Sequence, residues 1–491
     1  VGWEANNVTP NKDFAVYYTV SQQALGVNLL SYQTAQEDGF FMLLVAPRVE
    51  VEQSQIVAKD VVLVLDTSGS MEGEKIEQAK AALIYVLKHL NPEDRFNIVE
   101  FSTGVRVYAE RMQSASQADQ AGEWVGNLWA EGGTDINLAM LEAMAMSDPV
   151  RPTIIIFLTD GLPTEGVVEP ELILNNIKQA AQPNMRVFTF GVGDDVDTVL
   201  LDNIARELRG ASAYVRPGER IDEQVSAFYA KVSTPVLADI QLDIQGVTVG
   251  DTYPYPLPDL FAGTQLVVVG RYRDGGPATI TLRGTVNNQL QTFTYRDLYF
   301  RQLGGDDFIG PLWATRKIGY LLNQIRLHGE NRELIDQVVK LSIRYGIITP
   351  YTSFLVEETE RALSEEGRRG IADNAYQRAM TATPAPASGA GAVQKSVEQA
   401  QLESAQAPAA PAEAYAQQVQ LVGDKAFVLR DGVWTDTSFD PGRMTTVRLP
   451  FGSDAFFEFL AAHPEVGRFF ALGERVIVVI DGVAYETTVA G

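Results

Sequence analysis

Apolar positions along the chain repeat with different periods in different stretches, and each period predicts its own kind of element. In residues 13–48 the texture is that of strands. Phe14-Ala15-Val16-Tyr17-Tyr18-Thr19-Val20 is rich in aromatic and β-branched residues, and the apolar run Phe40-Phe41-Met42-Leu43-Leu44-Val45 is closed by Ala46-Pro47. From Val57 onward, apolar runs (Val61–Leu65, Phe96–Phe101, Thr153–Leu158, Arg186–Val192) alternate with segments of helical spacing (Ile76–Leu90, Asn137–Met146, Pro170–Ala181). In the first of these, Ile76, Ala79, Leu83, Leu87 and Leu90 share one face. Short continuous apolar strands alternating with helices call for a doubly wound, mainly parallel sheet covered on both faces, so residues 57–234 are predicted to be an α/β domain. After Pro235 strands return without helices to about Phe300, with a turn at Asp274-Gly275-Gly276-Pro277. The simplest organisation is an α/β domain inserted into a β-domain whose halves are residues 1–56 and 235–300.

Residues 301–380 predict a helical hairpin followed by a strand and a charged helix. The paired helices are Pro311–Leu327 and Arg332–Tyr345, with Asn331 as N-cap and Gly346 as C-terminal stop. The strand is Ile347–Glu357, and Glu357–Arg369 is the densely charged stretch, read as a solvated face. Residues 381–418 are rich in Ala, Pro, Gln and Ser with few large apolar side chains, a composition that predicts a linker. In residues 419–491 the segment Gly423–Val433 recurs as Gly473–Val483, each copy a β-hairpin with Asp-Gly at its tip, and Ser453–Ala462 between them has helical spacing. A small α+β domain with two related hairpins is the expectation.

Composition narrows the chemistry. A chain of 491 residues, 46% hydrophobic, can bury sizeable cores, about three of them at ~150 residues per domain. The 39 Lys and Arg against 63 Asp and Glu leave a formal charge of −24, which repels phosphate backbones and excludes nucleic acid as a partner. With no Cys and only three His (His89, His328, His463), disulfides, thiol nucleophiles and Cys/His zinc sites are excluded, so any metal sits on oxygen. The longest apolar runs have strand length, far short of the ~20 residues of a membrane span. The chain opens at Val1 on a polar stretch, from which removal of an upstream segment is expected.

One constellation carries chemistry. The strand Val61–Leu65 runs into Asp66-Thr67-Ser68-Gly69-Ser70-Met71, placing a carboxylate and two hydroxyls where open α/β sheets bind ligands. Glu131-Gly132-Gly133-Thr134-Asp135 adds the Thr134 hydroxyl at a helix start, and Ile154–Leu158 ends in Thr159-Asp160-Gly161, a second carboxylate. A hard cation such as Mg²⁺ takes about six oxygens. Asp66 and Asp160 balance its double charge, while neutral Ser68, Ser70 and Thr134 leave it electrophilic enough to accept a third carboxylate. Other motifs read blandly. Asp135 and the acidic loop Gly193–Asp197 are helix caps, and Gly69–Lys75 lacks the spacing of a phosphate loop. Trp124, Trp129 and Trp313 are taken as core, Asn7-Val8-Thr9 as an uninformative glycosylation sequon, and no nucleophile–base pair suggests an enzyme.

These residues resemble the metal-ion-dependent adhesion site of von Willebrand factor A domains, Asp-x-Ser-x-Ser followed by a Thr and an Asp, at Asp66, Ser68, Ser70, Thr134 and Asp160. More widely the chain is similar to the inter-alpha-trypsin inhibitor heavy chain group and its bacterial relatives. The similarity rests on Lys59–Asp66, Asp94–Ile98, Phe157–Thr164 and Tyr345–Ser353. The resemblance implies Mg²⁺, with Mn²⁺ or Ca²⁺ as alternatives, whose open position is filled by an Asp or Glu of a partner protein. It also implies a secreted, periplasmic or cell-surface adhesion protein without catalytic activity. Such proteins carry an N-terminal VIT domain, expected to have been removed ahead of Val1, so the expected partner is another protein, that cleaved domain or another copy of the chain. The alternative is a structural subunit of a self-assembly in which the A domain is scaffold.

Overall fold

The computed structural model describes residues 24–48, 57–286, 289–352, 364–382, 385–409 and 418–489. The predicted strand Phe14–Val20 and the sequon lie outside them. Strands β1 (Leu25–Gln33) and β2 (Gly39–Pro47) precede a seven-stranded sheet formed by β3 (Asp60–Asp66), β4 (Arg95–Phe101), β5 (Val105–Val107), β6 (Gln113–Ser114), β7 (Thr153–Thr159), β8 (Met185–Val192) and β9 (Ser212–Val215). Its order is β5-β4-β3-β7-β8-β9, with β6 also on β4; β4, β3, β7, β8 and β9 are parallel and the two short strands antiparallel.

Every residue of β3 is buried, and pleating sends alternate side chains into two separate cores. Val61, Leu63 and Leu65 pack under α1 (Glu74–Lys88), α2 (Ala118–Gly126) and α6 (Ile221–Val232), all on one face. Val62 and Val64 pack under α3 (Ile136–Ala145), α4 (Pro170–Ala180) and α5 (Thr198–Glu207). Two-sided burial is why the strands read as unbroken apolar runs. The chain leaves β3 toward β4 on one side and returns to β7 on the other, so the strand order reverses beside β3 and opens a crevice at its carboxyl end.

The inserted sheet returns to strands β10 (Pro235–Gln245), β11 (Thr248–Tyr253), β12 (Leu260–Phe261), β13 (Leu266–Arg273), β14 (Pro277–Val286), β15 (Gln289–Tyr299) and β16 (Gly304–Gly305). They form two sheets, β11-β13-β2-β1-β16 and β12-β10-β14-β15, around Phe41, Leu43, Tyr272, Leu282 and Phe300. Strand β2, from before the insertion, pairs with β13, from after it, at Leu43 opposite Val268. Helices α7 (Ile309–His328) and α8 (Arg332–Tyr345) cover the first sheet through Phe40, Met42 and Val269. Asn331 caps α8 by accepting from the Glu333 and Leu334 amides, and Gly346 ends it at φ 65°. Of the charged stretch, residues 357–363 lie outside the described residues and 365–369 open α9 (Glu365–Thr381), which packs Ile371 and Ala372 against the same core. No strand follows α8 in the described residues 347–352, which make loop and turn; the remainder of the predicted strand lies outside the described residues.

Two further expectations are corrected. The predicted linker contains helix α10 (Ala390–Glu403), seated between α5 and α7. Val393 enters the core beneath α5, and Gly319 of α7 lies so near the α10 backbone that a Cβ there would stand 2.6 Å from the Glu403 nitrogen. Composition misses this helix because it docks by small residues and polar pairs: Ser396 Oγ donates to Asp202 (2.6 Å), Asn323 to Glu403 (3.0 Å) and Arg326 Nε to Gln399 (2.7 Å). The second correction is Trp129. Trp313 is core at 3% exposure, whereas Trp129 is 53% exposed in the loop between α2 and α3, sharing the Arg106 guanidinium with Trp124.

Residues 419–489 form a mixed six-stranded sheet in the order Val419–Val422, Lys425–Arg430, Val433–Asp436, Val476–Ile480, Val483–Thr488, Thr446–Pro450. Both hairpin tips have positive φ at each central residue, Asp431 and Gly432 (47° and 74°) and Asp481 and Gly482 (47° and 81°), as a type I′ turn requires. Helix α11 (Asp454–Ala462) starts at the N-cap Ser453. Among the described residues no helix is long and apolar enough to cross a membrane.

Candidate metal centre

Asp66 ends β3 with its side chain wholly buried, and two short hydrogen bonds orient its carboxylate. Oδ1 accepts from the Ser68 amide at 2.8 Å, folding the loop back on itself, and Oδ2 accepts from Thr159 Oγ1 at 2.6 Å. A 3₁₀ turn over Gly69–Met71, anchored by buried Met71, then aims both serines the same way, with Ser68 Oγ and Ser70 Oγ 3.1 Å apart. Thr67 points the other way, donating to the Phe101 carbonyl (3.1 Å). Asp160, one residue past β7 and 1% exposed, accepts from Ser70 Oγ at 2.6 Å through Oδ1.

The Thr134 loop is held in place by backbone bonds to three neighbours. Glu131 donates to the Thr67 carbonyl (2.7 Å), Gly69 to that of Gly132 (3.1 Å), and Asp135 to that of Ser102 (2.9 Å). Gly132 has φ 81°, and a Cβ there would stand 2.7 Å from Thr103 Oγ1, so only glycine lets this loop approach. A methyl on Gly161 would lie 3.6 Å from Thr134 Oγ1 and 4.0 Å from Ser70 Oγ. All five predicted residues therefore line one crevice, at the reversal of strand order. Asp135 is not among them: its carboxylate caps α3 by accepting from the Leu138 amide (2.9 Å), and Asp197 caps α5 likewise (2.9 Å).

Electrostatics favour a cation here. Burial, with a smaller contribution from the Asp160 charge, pushes the Asp66 carboxyl up to about 6, against the pull of its hydrogen bonds from Ser68 and Thr159. Two residues that the motif did not include complete the arrangement. Thr159 orients Asp66. Lys75, in the first turn of α1, reaches Asp160 Oδ2 at 2.6 Å and the Ser70 carbonyl at 3.4 Å. Lys75 carries no local signal, because its partner lies 85 residues away on the loop that follows β7. Among the described residues no three carboxylate, imidazole or thiol side chains gather as a metal group. The donor set is instead two carboxylates and three hydroxyls, all hard oxygen, which is the chemistry that fits a hard divalent cation.

The family pattern of the von Willebrand factor type A domain matches residues 59–214. That segment is a von Willebrand factor type A domain. The chain is homologous to inter-alpha-trypsin inhibitor heavy chains. It is 33% identical to heavy chain H6 of Homo sapiens over 396 residues, 74% of this chain and 29% of that protein. Against heavy chain 4 of Mus musculus it is 30% identical over 373 residues, 71% of this chain and 39% of that protein. The chain thus spans well under half the length of these relatives. Among solved structures, a von Willebrand factor type A protein from Catenulispora acidiphila, 17% identical, covers 81% of this chain and 100% of its own, with a TM-score of 0.49.

Proposed function

We propose that the A domain is a metal-dependent protein-binding module of a secreted or cell-envelope protein, in which a divalent cation held by Asp66, Ser68, Ser70, Thr134 and Asp160 engages an Asp or Glu of a partner. The observation that carries this reading is the pairing of two buried carboxylates with neutral hydroxyls at the sheet's switch point. Such a set neutralises a dication without saturating it, and a cation so held supplies an electrophilic position for an anion. Homology to inter-alpha-trypsin inhibitor heavy chains supports a binding role over a catalytic one. So does the placement of His89, His328 and His463, each hydrogen-bonded to a carbonyl one turn back in its own helix. Mg²⁺ is the cation we favour, with Mn²⁺ or Ca²⁺ able to serve the same donors.

Capture of partner proteins on immobilised wild-type chain and on Asp66→Ala, in Mg²⁺ and in chelator, tests the reading. Partners retained only by wild type in Mg²⁺ are expected. Equal retention in all four arms would move recognition elsewhere and leave the A domain as scaffold.

A further inference from the structure

Lys75 is the feature of the crevice that the metal reading does not use. Its ammonium rests on Asp160 Oδ2, the oxygen that Ser70 leaves free, while the stem rises from the first turn of α1 to a side chain 41% exposed. Among the described residues no other carboxylate pairs with it, and its neighbours in that turn, Glu74 and Glu77, reach Gln78 and Lys80 instead. The position therefore places a fixed positive charge on the carboxylate that a divalent cation needs.

We infer that Lys75 is a tethered competitor of the metal, which weakens binding of the cation alone and makes the site depend on a carboxylate from outside. This rests on the metal-binding reading above. Charge balance states the consequence. Asp66 and Asp160 neutralise a dication by themselves, so with Lys75 beside them the loaded site carries one surplus positive charge. A single incoming carboxylate removes it. The repulsion between an ammonium and a dication within one crevice is large where Asp160 is buried, and it is softened by the solvent that reaches Lys75. Metal and partner thereby become thermodynamically coupled, each raising the affinity of the other by the same factor.

The test is calorimetric titration of Mn²⁺, with no partner present, into the full chain as wild type, Lys75→Gln, Lys75→Arg and Lys178→Gln. Lys178, near the C-terminal end of α4, pairs with Glu207 at the end of α5 and controls for the change in net charge. Lys75→Gln is expected to bind Mn²⁺ about three- to fivefold more tightly than wild type, the upper part of the range for a half-exposed ion pair. Lys75→Arg and Lys178→Gln should stay within twofold of wild type. Thermal melting of each variant in chelator establishes that it is folded. Unchanged affinity in Lys75→Gln would overturn the inference, and weaker affinity would overturn it in favour of a residue that positions Asp160. Absence of Mn²⁺ binding by wild type and Lys75→Gln alike would defeat the metal-binding reading itself, and this inference with it.

Discussion

Asp66 carries a conflict between folding and function. A carboxyl pushed up to about 6 by burial is disfavoured in its charged form, so in metal-free protein at neutral pH it opposes folding. Because the folded state binds the proton more tightly than the unfolded chain, its unfavourable contribution is full above pH 6 and fades as pH falls toward 4. Asp66→Asn keeps the volume and the acceptor for the Ser68 amide. It should stabilise the metal-free protein at pH 7 by up to about 2–3 kcal/mol, at ~1.4 kcal/mol per pKa unit. Denaturant melts in chelator at pH 7 and pH 4.5 check this: the gain should shrink at the lower pH, and a gain independent of pH would refute the electrostatic origin. In Mg²⁺ the order should invert, since the same change removes a ligand charge. Ser70→Ala deletes one neutral donor and keeps both charges, so calorimetry should find it weakening metal binding less than Asp160→Ala does.

At the scale of elements, α10 is bound by close approach and polar pairing in place of a broad apolar face. Replacing a mid-helix glycine by alanine ordinarily stabilises a helix by ~1 kcal/mol. At Gly319 the sign should reverse, because the added methyl would stand 2.6 Å from the backbone of α10 and cannot be relieved by rotating a side chain. Limited proteolysis reads the outcome directly. Residues 390–403 should resist cleavage in the wild type and become cut in Gly319→Ala, whereas cleavage of the wild type within the helix would contradict its docking. The strands behave oppositely. Each residue of β3 is enclosed between two helical layers, so its stability comes from apolar burial on both faces.

Across the whole molecule, the A domain is joined to the β-domain by a buried cation as well as by chain connections. The Arg186 side chain, 6% exposed, donates to Asp239 (2.7 Å) and to Asp259 (2.8 Å) and also reaches the carbonyls of Pro183 and Met185. Removing it strands Asp259, itself 10% exposed, without its countercharge. Arg186→Ala should therefore lower stability by about 3 kcal/mol or more in chemical denaturation, the usual cost of an orphaned buried charge. A loss below ~1 kcal/mol would mean that the junction is solvated in solution. The metal crevice lies at the other end of the sheet, so this variant should leave Mn²⁺ affinity unchanged.

What the chain alone determined is whatever depends on neighbours in sequence. The apolar runs of β3, β4, β7 and β8, the Asn331 and Gly346 caps of α8, and the Asp-Gly hairpin tips are local patterns with a local physical cause. The five oxygen donors were also legible, because strand-end loops of a doubly wound sheet converge by topology, before any side chain is placed. Tertiary structure alone decided the rest. It filled the space between α5 and α7 with a helix whose small residues give no amphipathic signal, left Trp129 in solvent on a loop pinned to the crevice, and set Lys75 on Asp160. Each of these turns on contacts between segments distant along the chain, where the free energy depends on how closely two surfaces meet and on which charges burial brings together, and neither quantity is written in local periodicity or composition.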